Sequence, residues 1–233
     1  MYLSAGLGKT LEVISLILLN PCDPKSLGGP YASKLDVAVK PTKATLIVAP
    51  PTLTQQWVDE IARHSPSLKV LVYAGYKTLP FRVVTGKVDP SAARAKQRGF
   101  SKAPVKNRRV VDSDDSSADE EVPEYGEASW WNYLEQNGYD VLITTYATLQ
   151  ADLGVAKPPP SRPRRETVEY SEHERPRSPL VTSEWHRVVM DEVQLQGNGT
   201  IAEMVSLLPR RSSLAVSGTP AKNAVKDLQQ SLR

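Results

Sequence analysis

Apolar positions along the chain fall into short blocks of two kinds. From Thr10 to Leu19, the residues Leu11, Ile14, Leu16, Ile17 and Leu18 recur at helical spacing and predict a helix with a wide apolar face. Ala44–Ala49 is a continuous β-rich run closed by Pro50-Pro51, the pattern of a strand buried on both faces of a parallel sheet. Thr54–His64 returns to helical spacing, with Trp57, Ile61 and Val58 turned inward. Lys69–Tyr73, Tyr139–Thr145, Arg187–Asp191 and Ser213–Ser217 read as further strands, and Ile201–Leu208 as a helix before the last of them. Helices alternating with apolar strands predict an α/β fold, an open and mainly parallel sheet flanked by helices. Ligands of such sheets gather at the carboxyl ends of the strands, so the chemistry is expected in the residues that follow them.

Two stretches break the pattern. Lys and Arg crowd the chain from Lys77 to Arg109 against a single acid, Asp89, and from Asp112 to Glu127 there are acids and no base. Blocks of one sign with few apolar side chains cannot offset the entropy of ordering, so residues 80–128 are expected to be a disordered insertion. The proline-rich, charge-alternating stretch at 156–178 is expected to be a second one. Lys102–Arg109 reads either as a nuclear import signal or phosphate-binding arm, or as a solvated tail neutralised by the acids beyond it. Ser116 and Ser117 each precede an acid by three residues and suit acid-directed phosphorylation.

Composition narrows the classes. Cys22 is the single cysteine, which excludes a disulfide scaffold and a four-cysteine or finger-type zinc site. His64, His173 and His186 are scattered and suggest no metal. No apolar run is long enough to cross a membrane, and the first residues lack the pattern of a signal peptide. The net charge of +3 is too small to specify a partner.

Three places carry chemistry. Gly6-Leu7-Gly8-Lys9-Thr10 stands directly before a helix. A bound phosphate needs backbone N–H groups at a helix start, a lysine near its outer oxygens and a hydroxyl for magnesium, which Gly8, Lys9 and Thr10 supply while Gly6 permits close approach. The same letters also suit a helix opened by a glycine turn with an exposed lysine. The strand Val188–Met190 ends in Asp191-Glu192, where Asp191 suits the metal of a nucleotide and Glu192 the orientation or deprotonation of a water. Together the two sites meet the needs of phosphoryl transfer. Ser217-Gly218-Thr219-Pro220, after the last strand, is a simple turn or a link between nucleotide state and whatever the domain grips.

The order G-L-G-K-T-L-E, L-I-V-A-P-P-T-L-T-Q-Q-W, D-V-L-I-T-T-Y, V-V-M-D-E-V-Q and S-G-T-P-A-K-N resembles motifs I, Ia, Ib, II and III of the first RecA-like lobe of SWI/SNF-type helicase-related ATPases. The D-E-V-Q box, Ser178–Val181 before Trp185 and the ending S-G-T-P-A-K-N-A-V-K-D-L are most similar to the fungal branch that carries a RING finger between its lobes. The resemblance covers residues 1–233 and implies a RecA-like P-loop domain using ATP and Mg²⁺. Lys9 and Thr10 would hold phosphates and magnesium, Asp191 and Glu192 would serve metal and water, and Gln194 would contact the γ-phosphate or motif III. Ser217 and Thr219 would couple hydrolysis to movement. Pro51, Thr52, Gln56, Trp57, Thr144, Thr145 and Tyr146 fall in motifs that face the DNA backbone or support that face. Trp57 also reads as core, and Thr144 and Thr145 as plain strand formers.

The implied function is ATP-dependent translocation on double-stranded DNA or chromatin in the nucleus, with ubiquitin machinery as a further partner of the parent protein. Leu3 and Ser4 stand where the family has an acidic pair. The strand feeding the phosphate loop, the adenine-reading segment and the second lobe with its arginine finger are expected to be absent, leaving this chain weakly active alone. The competing expectation is a non-catalytic module that binds DNA or protein.

Overall fold

The computed structural model describes residues 8–33, 35, 37–79, 82–85, 124–125, 127–157, 175–193 and 199–217. Helix α1 (Lys9–Leu19) is followed by β1 (Tyr31–Ala32), β2 (Ala38–Ala49), α2 (Pro51–His64), β3 (Val70–Val72), β4 (Arg82–Thr85) and β5 (Glu124–Tyr125). Then come α3 (Glu127–Asn137), β6 (Val141–Thr145), α4 (Tyr146–Ala156), β7 (Arg175–Pro176), β8 (Ser183–Asp191), α5 (Thr200–Leu207) and β9 (Arg210–Val216). No helix among the described residues is long and apolar enough to cross a membrane.

The expected parallel sheet is present, in the order β3-β6-β2-β8-β9, with β1 added antiparallel to the start of β2. Strand alternation divides its side chains between two cores. Ile47, Ala49, Val141, Ile143 and Val189 pack with Val13, Ile14 and Ile17 of α1 and with Trp57 and Ile61 of α2. Leu46, Val48, Leu142, Val188 and Met190 point the other way, onto Trp130 and Leu134 of α3, Tyr146, Leu149 and Leu153 of α4, and Met204 and Val205 of α5. Both faces are therefore covered, as the apolar runs required.

Two strands run longer than their apolar cores suggest. β2 begins at Ala38 and contains Pro41, with a register shift between Thr42 and Thr45 beside β8, and β8 begins at Ser183. Three tryptophans secure the turn that leads into β8: Trp130 donates to Ser183 Oγ (2.9 Å), Trp131 to the carbonyl of Thr182 (2.7 Å) and Trp185 to that of Leu180 (3.0 Å). On α1 the expected wide apolar face is split, since Leu11 and Leu18 lie about half exposed while Val13, Ile14 and Ile17 are buried.

Strands are found at the margins of both expected insertions. β4, β5 and β7 form a small sheet in the order β5-β4-β7, and Arg177 and Ser178 are buried. Those margins have apolar and hydrogen-bonding anchors that the charge pattern concealed. Val83 is buried against the α3–α4 core, and Ser178 donates to buried Asp152 (2.9 Å). Residues 86–123 and 158–174, including Lys102–Arg109, Ser116 and Ser117, lie outside the described residues.

Candidate active site

Three chain segments meet where the phosphate and metal chemistry was expected. Gly8 caps α1 with φ of 77°, a left-handed conformation natural to glycine, and brings no side chain to the N–H groups of the first turn. The next residue, Lys9, places its Nζ 3.4 Å from Glu192 Oε1, across 183 positions of sequence. Thr10 is the second residue of the same helix. Two halves of the site that the sequence separates are thus joined by an ion pair whose side chains are mostly shielded from solvent.

The acid pair owes its arrangement to one unusual backbone angle. Alternation along β8 puts Asp191 on the same side as Val189, facing α1 and α2, and would send Glu192 to the opposite face. Glu192 instead adopts φ of 50°, in the left-handed region that non-glycine residues enter at a cost of about 1–2 kcal/mol. The strand ends there, and both carboxylates serve the face that carries α1 and α2. Asp191 Oδ1 accepts from the Glu192 N–H (2.9 Å), which fastens the turn.

Asp191 is 6% exposed. Burial raises its pKa above the ordinary carboxyl value, opposed chiefly by a hydrogen bond to Oδ2 from the indole N–H of Trp57 (2.9 Å). Tyr146, at the start of α4, donates its hydroxyl to the main-chain carbonyl of Asp191 (2.9 Å). Burial and the nearby acids push that phenol well above its usual range. The register Asp191↔Val216 sets Ser217, fully buried, one residue beyond the acid's partner on β9. Gly6, Gln194 and Thr219 lie outside the described residues.

The residues assigned to a DNA-facing surface divide into two groups. Pro51, Thr52 and Gln56 are exposed on α2. Thr144 is fully buried and donates its hydroxyl to the carbonyl of Tyr73 (3.0 Å), so it joins strand ends and presents nothing outward. Thr145 accepts from the N–H of Thr148 (3.1 Å) as the N-cap of α4. Tyr146 is committed to Asp191. The hydroxyls of all three are thus engaged by neighbouring residues, and that of Tyr146 alone reaches the acid pair. Trp57, as expected, is core, but its contact with Asp191 was not legible: the two residues lie 134 positions apart. The only sequence signal for it was a tryptophan, with its single N–H donor, on an otherwise apolar helix face.

Set beside known proteins, residues 4–232 match the model of the family described as the SNF2-related domain. The chain is 30% identical over 224 residues to the uncharacterized ATP-dependent helicase IRC20 of Saccharomyces cerevisiae, covering 94% of this chain and 11% of that protein. It is 30% identical over 206 residues to the E3 ubiquitin-protein ligase SHPRH of Homo sapiens, covering 85% of this chain and 9% of the relative. Among solved structures, the SWI2/SNF2 ATPase core of Sulfolobus solfataricus in complex with double-stranded DNA aligns over 98% of this chain and 29% of that one, at 20% identity and a TM-score of 0.45. The chain spans about a tenth of the length of the curated relatives it matches.

Proposed function

The chain belongs to the SNF2-related domain family, and on that premise we propose that it is the ATP-binding lobe of a nuclear DNA-dependent ATPase or translocase acting on double-stranded DNA or chromatin. One observation carries this reading: the Lys9–Glu192 ion pair, which brings the start of α1 against the acid pair at the end of β8. The donor set suits magnesium-ATP. A helix start without a side-chain cap and an ammonium suit phosphate oxygens, while a hydroxyl and a carboxylate suit the metal. When bound, magnesium-ATP supplies the phosphoryl bond to be broken and a metal charge that neutralises its oxygens.

The chain's own residues then have distinct tasks. Lys9 and the first-turn N–H groups bind phosphate, with Gly6 and Gly8 allowing close approach. Thr10 and Asp191 hold magnesium. Glu192 orients the attacking water and receives its proton, and Gln194 serves the γ-phosphate or motif III, which begins at Ser217. Ser217 and Thr219 link the site to movement. Pro51, Thr52 and Gln56 offer the outward face of α2 to a DNA backbone. A second RecA-like lobe and, in view of the name of the human relative, ubiquitin machinery are the partners we assign to the parent protein.

Calorimetric titration of the purified chain with magnesium-ATP tests the assignment. We expect saturable binding that Lys9→Ala abolishes and Asp191→Asn weakens, with at most weak DNA-stimulated hydrolysis by the chain alone. A folded chain that binds DNA and no nucleotide would replace this reading with that of a non-catalytic interaction module.

A further inference from the structure

Helix α2 has two sides with different business. Its outward side carries Pro51, Thr52 and Gln56. On its inward side Trp57, 2% exposed, ends on the Asp191 carboxylate through the 2.9 Å bond from its indole. We propose that Trp57 is a positioning residue for Asp191, fixing the carboxylate in the orientation in which it takes the metal of the bound nucleotide. This inference rests on the nucleotide site proposed above and deepens it.

The indole nitrogen has one hydrogen and no acceptor lone pair, so the bond runs in a single direction and ends on an oxygen lone pair of the acid. The Glu192 N–H engages the other carboxyl oxygen at 2.9 Å. Among the described residues one donor reaches each oxygen, which defines the carboxyl plane and leaves each oxygen a second lone pair for the metal. The donors themselves cannot drift. Trp57 is packed among Ile61, Ile47, Ala49 and Val189, and the Glu192 N–H belongs to a turn closed by the same carboxylate. The main chain of Asp191 is held independently, by the Tyr146 hydroxyl on its carbonyl. The acid is therefore anchored to α2 through its side chain and to α4 through its backbone. A buried donor spent on a carboxylate, where any carbonyl would satisfy it, is the arrangement by which outer-shell groups orient a metal's ligands.

Trp57→Phe keeps a buried ring and removes the N–H. In the presence of ATP, its apparent Mg²⁺ affinity is expected to fall about 10-fold or more, the usual effect of removing an outer-shell partner. Ile61→Val trims the same inward face of α2 without touching the acid and should leave that affinity unchanged. A second readout needs no nucleotide. The nitrogen–proton spectrum of the four tryptophan indoles should show one signal displaced in Asp191→Asn, and it should be the signal missing from Trp57→Phe. Wild-type Mg²⁺ affinity in Trp57→Phe, or an equal loss in Ile61→Val, would overturn the positioning role and leave the nucleotide site standing. If Trp57→Phe fails to fold, the indole spectrum of Asp191→Asn decides, and unmoved signals overturn the role. A wild-type chain that binds no magnesium-ATP overturns the site and the inference together.

Discussion

At the scale of single residues, buried carboxylates decide how the chain responds to acid. Asp152 is 1% exposed and accepts from the hydroxyls of Tyr73 and Ser178 and from the N–H of Tyr76. Burial outweighs these donors and holds its pKa above the ordinary carboxyl value, and Asp191 is displaced in the same direction. A carboxyl with a raised folded pKa binds its proton more firmly in the folded chain. Its contribution to stability is complete below the unfolded value and is lost as pH rises through the folded value. The urea midpoint of Asp152→Asn should therefore vary less than the wild type's just above the ordinary carboxyl range, and an unaltered slope would exclude Asp152 as its source. Asp152→Ala strands two hydroxyls and should cost about 1–3 kcal/mol for each in the same denaturation series. The letters of the proposed nucleotide site stand out in the sequence because phosphate chemistry restricts residue types at positions such as Lys9, Thr10, Asp191 and Glu192. Their geometry does not, since it depends on the left-handed turn at Glu192 and on contacts such as Trp57–Asp191 that span most of the chain.

At the scale of elements, strands buried on both faces announce themselves. Ala44–Ala49 and Tyr139–Thr145 were legible because each holds an unbroken apolar stretch, Leu46–Ala49 and Val141–Ile143. The first half of β2, with Pro41, and the first half of β8 were hidden by alternating polar residues. Helix α4 was missed for a different reason: its buried face carries a carboxylate, Asp152, beside Leu149, Leu153 and Ala156, which blurs the line between its apolar and polar sides. That helix supplies a test of how Thr145 is used. Thr145→Ala removes the N-cap and should cost about 1 kcal/mol, read as a Tm lower by roughly 2–4 °C, with DNA affinity unchanged. Thr52→Ala combined with Gln56→Ala should do the reverse, weakening DNA binding at constant Tm. Loss of DNA affinity in Thr145→Ala would return that residue to the DNA-facing set.

At the scale of the whole molecule, the sheet sets a gradient of protection. β2 is hydrogen-bonded on both sides, to β6 and β8, whereas β3 contributes three residues at one border and β9 stands at the other among the described strands. Amide hydrogen exchange should accordingly be slowest at Leu46–Val48, Leu142–Ile143 and Val188–Val189 and faster in β3 and β9. Uniform exchange across the five strands would contradict this ranking. Remote from the acid pair, the small sheet has its own role. Thr85 of β4 pairs with Arg175, and Arg82 pairs with Glu124. The Arg177 guanidinium reaches the carbonyl of Lys157 at 2.9 Å. The chain that departs at Thr85 and the chain that departs at Lys157 thus both return to the neighbourhood they left. Because each doubling of the length of a loop closed at its base costs only about 0.6 kcal/mol, sequence can accumulate or disappear at these two junctions with little burden on the lobe. Descent can lengthen the gene there, and a laboratory can splice in an epitope or a fluorophore, while the carboxyl ends of the strands go undisturbed.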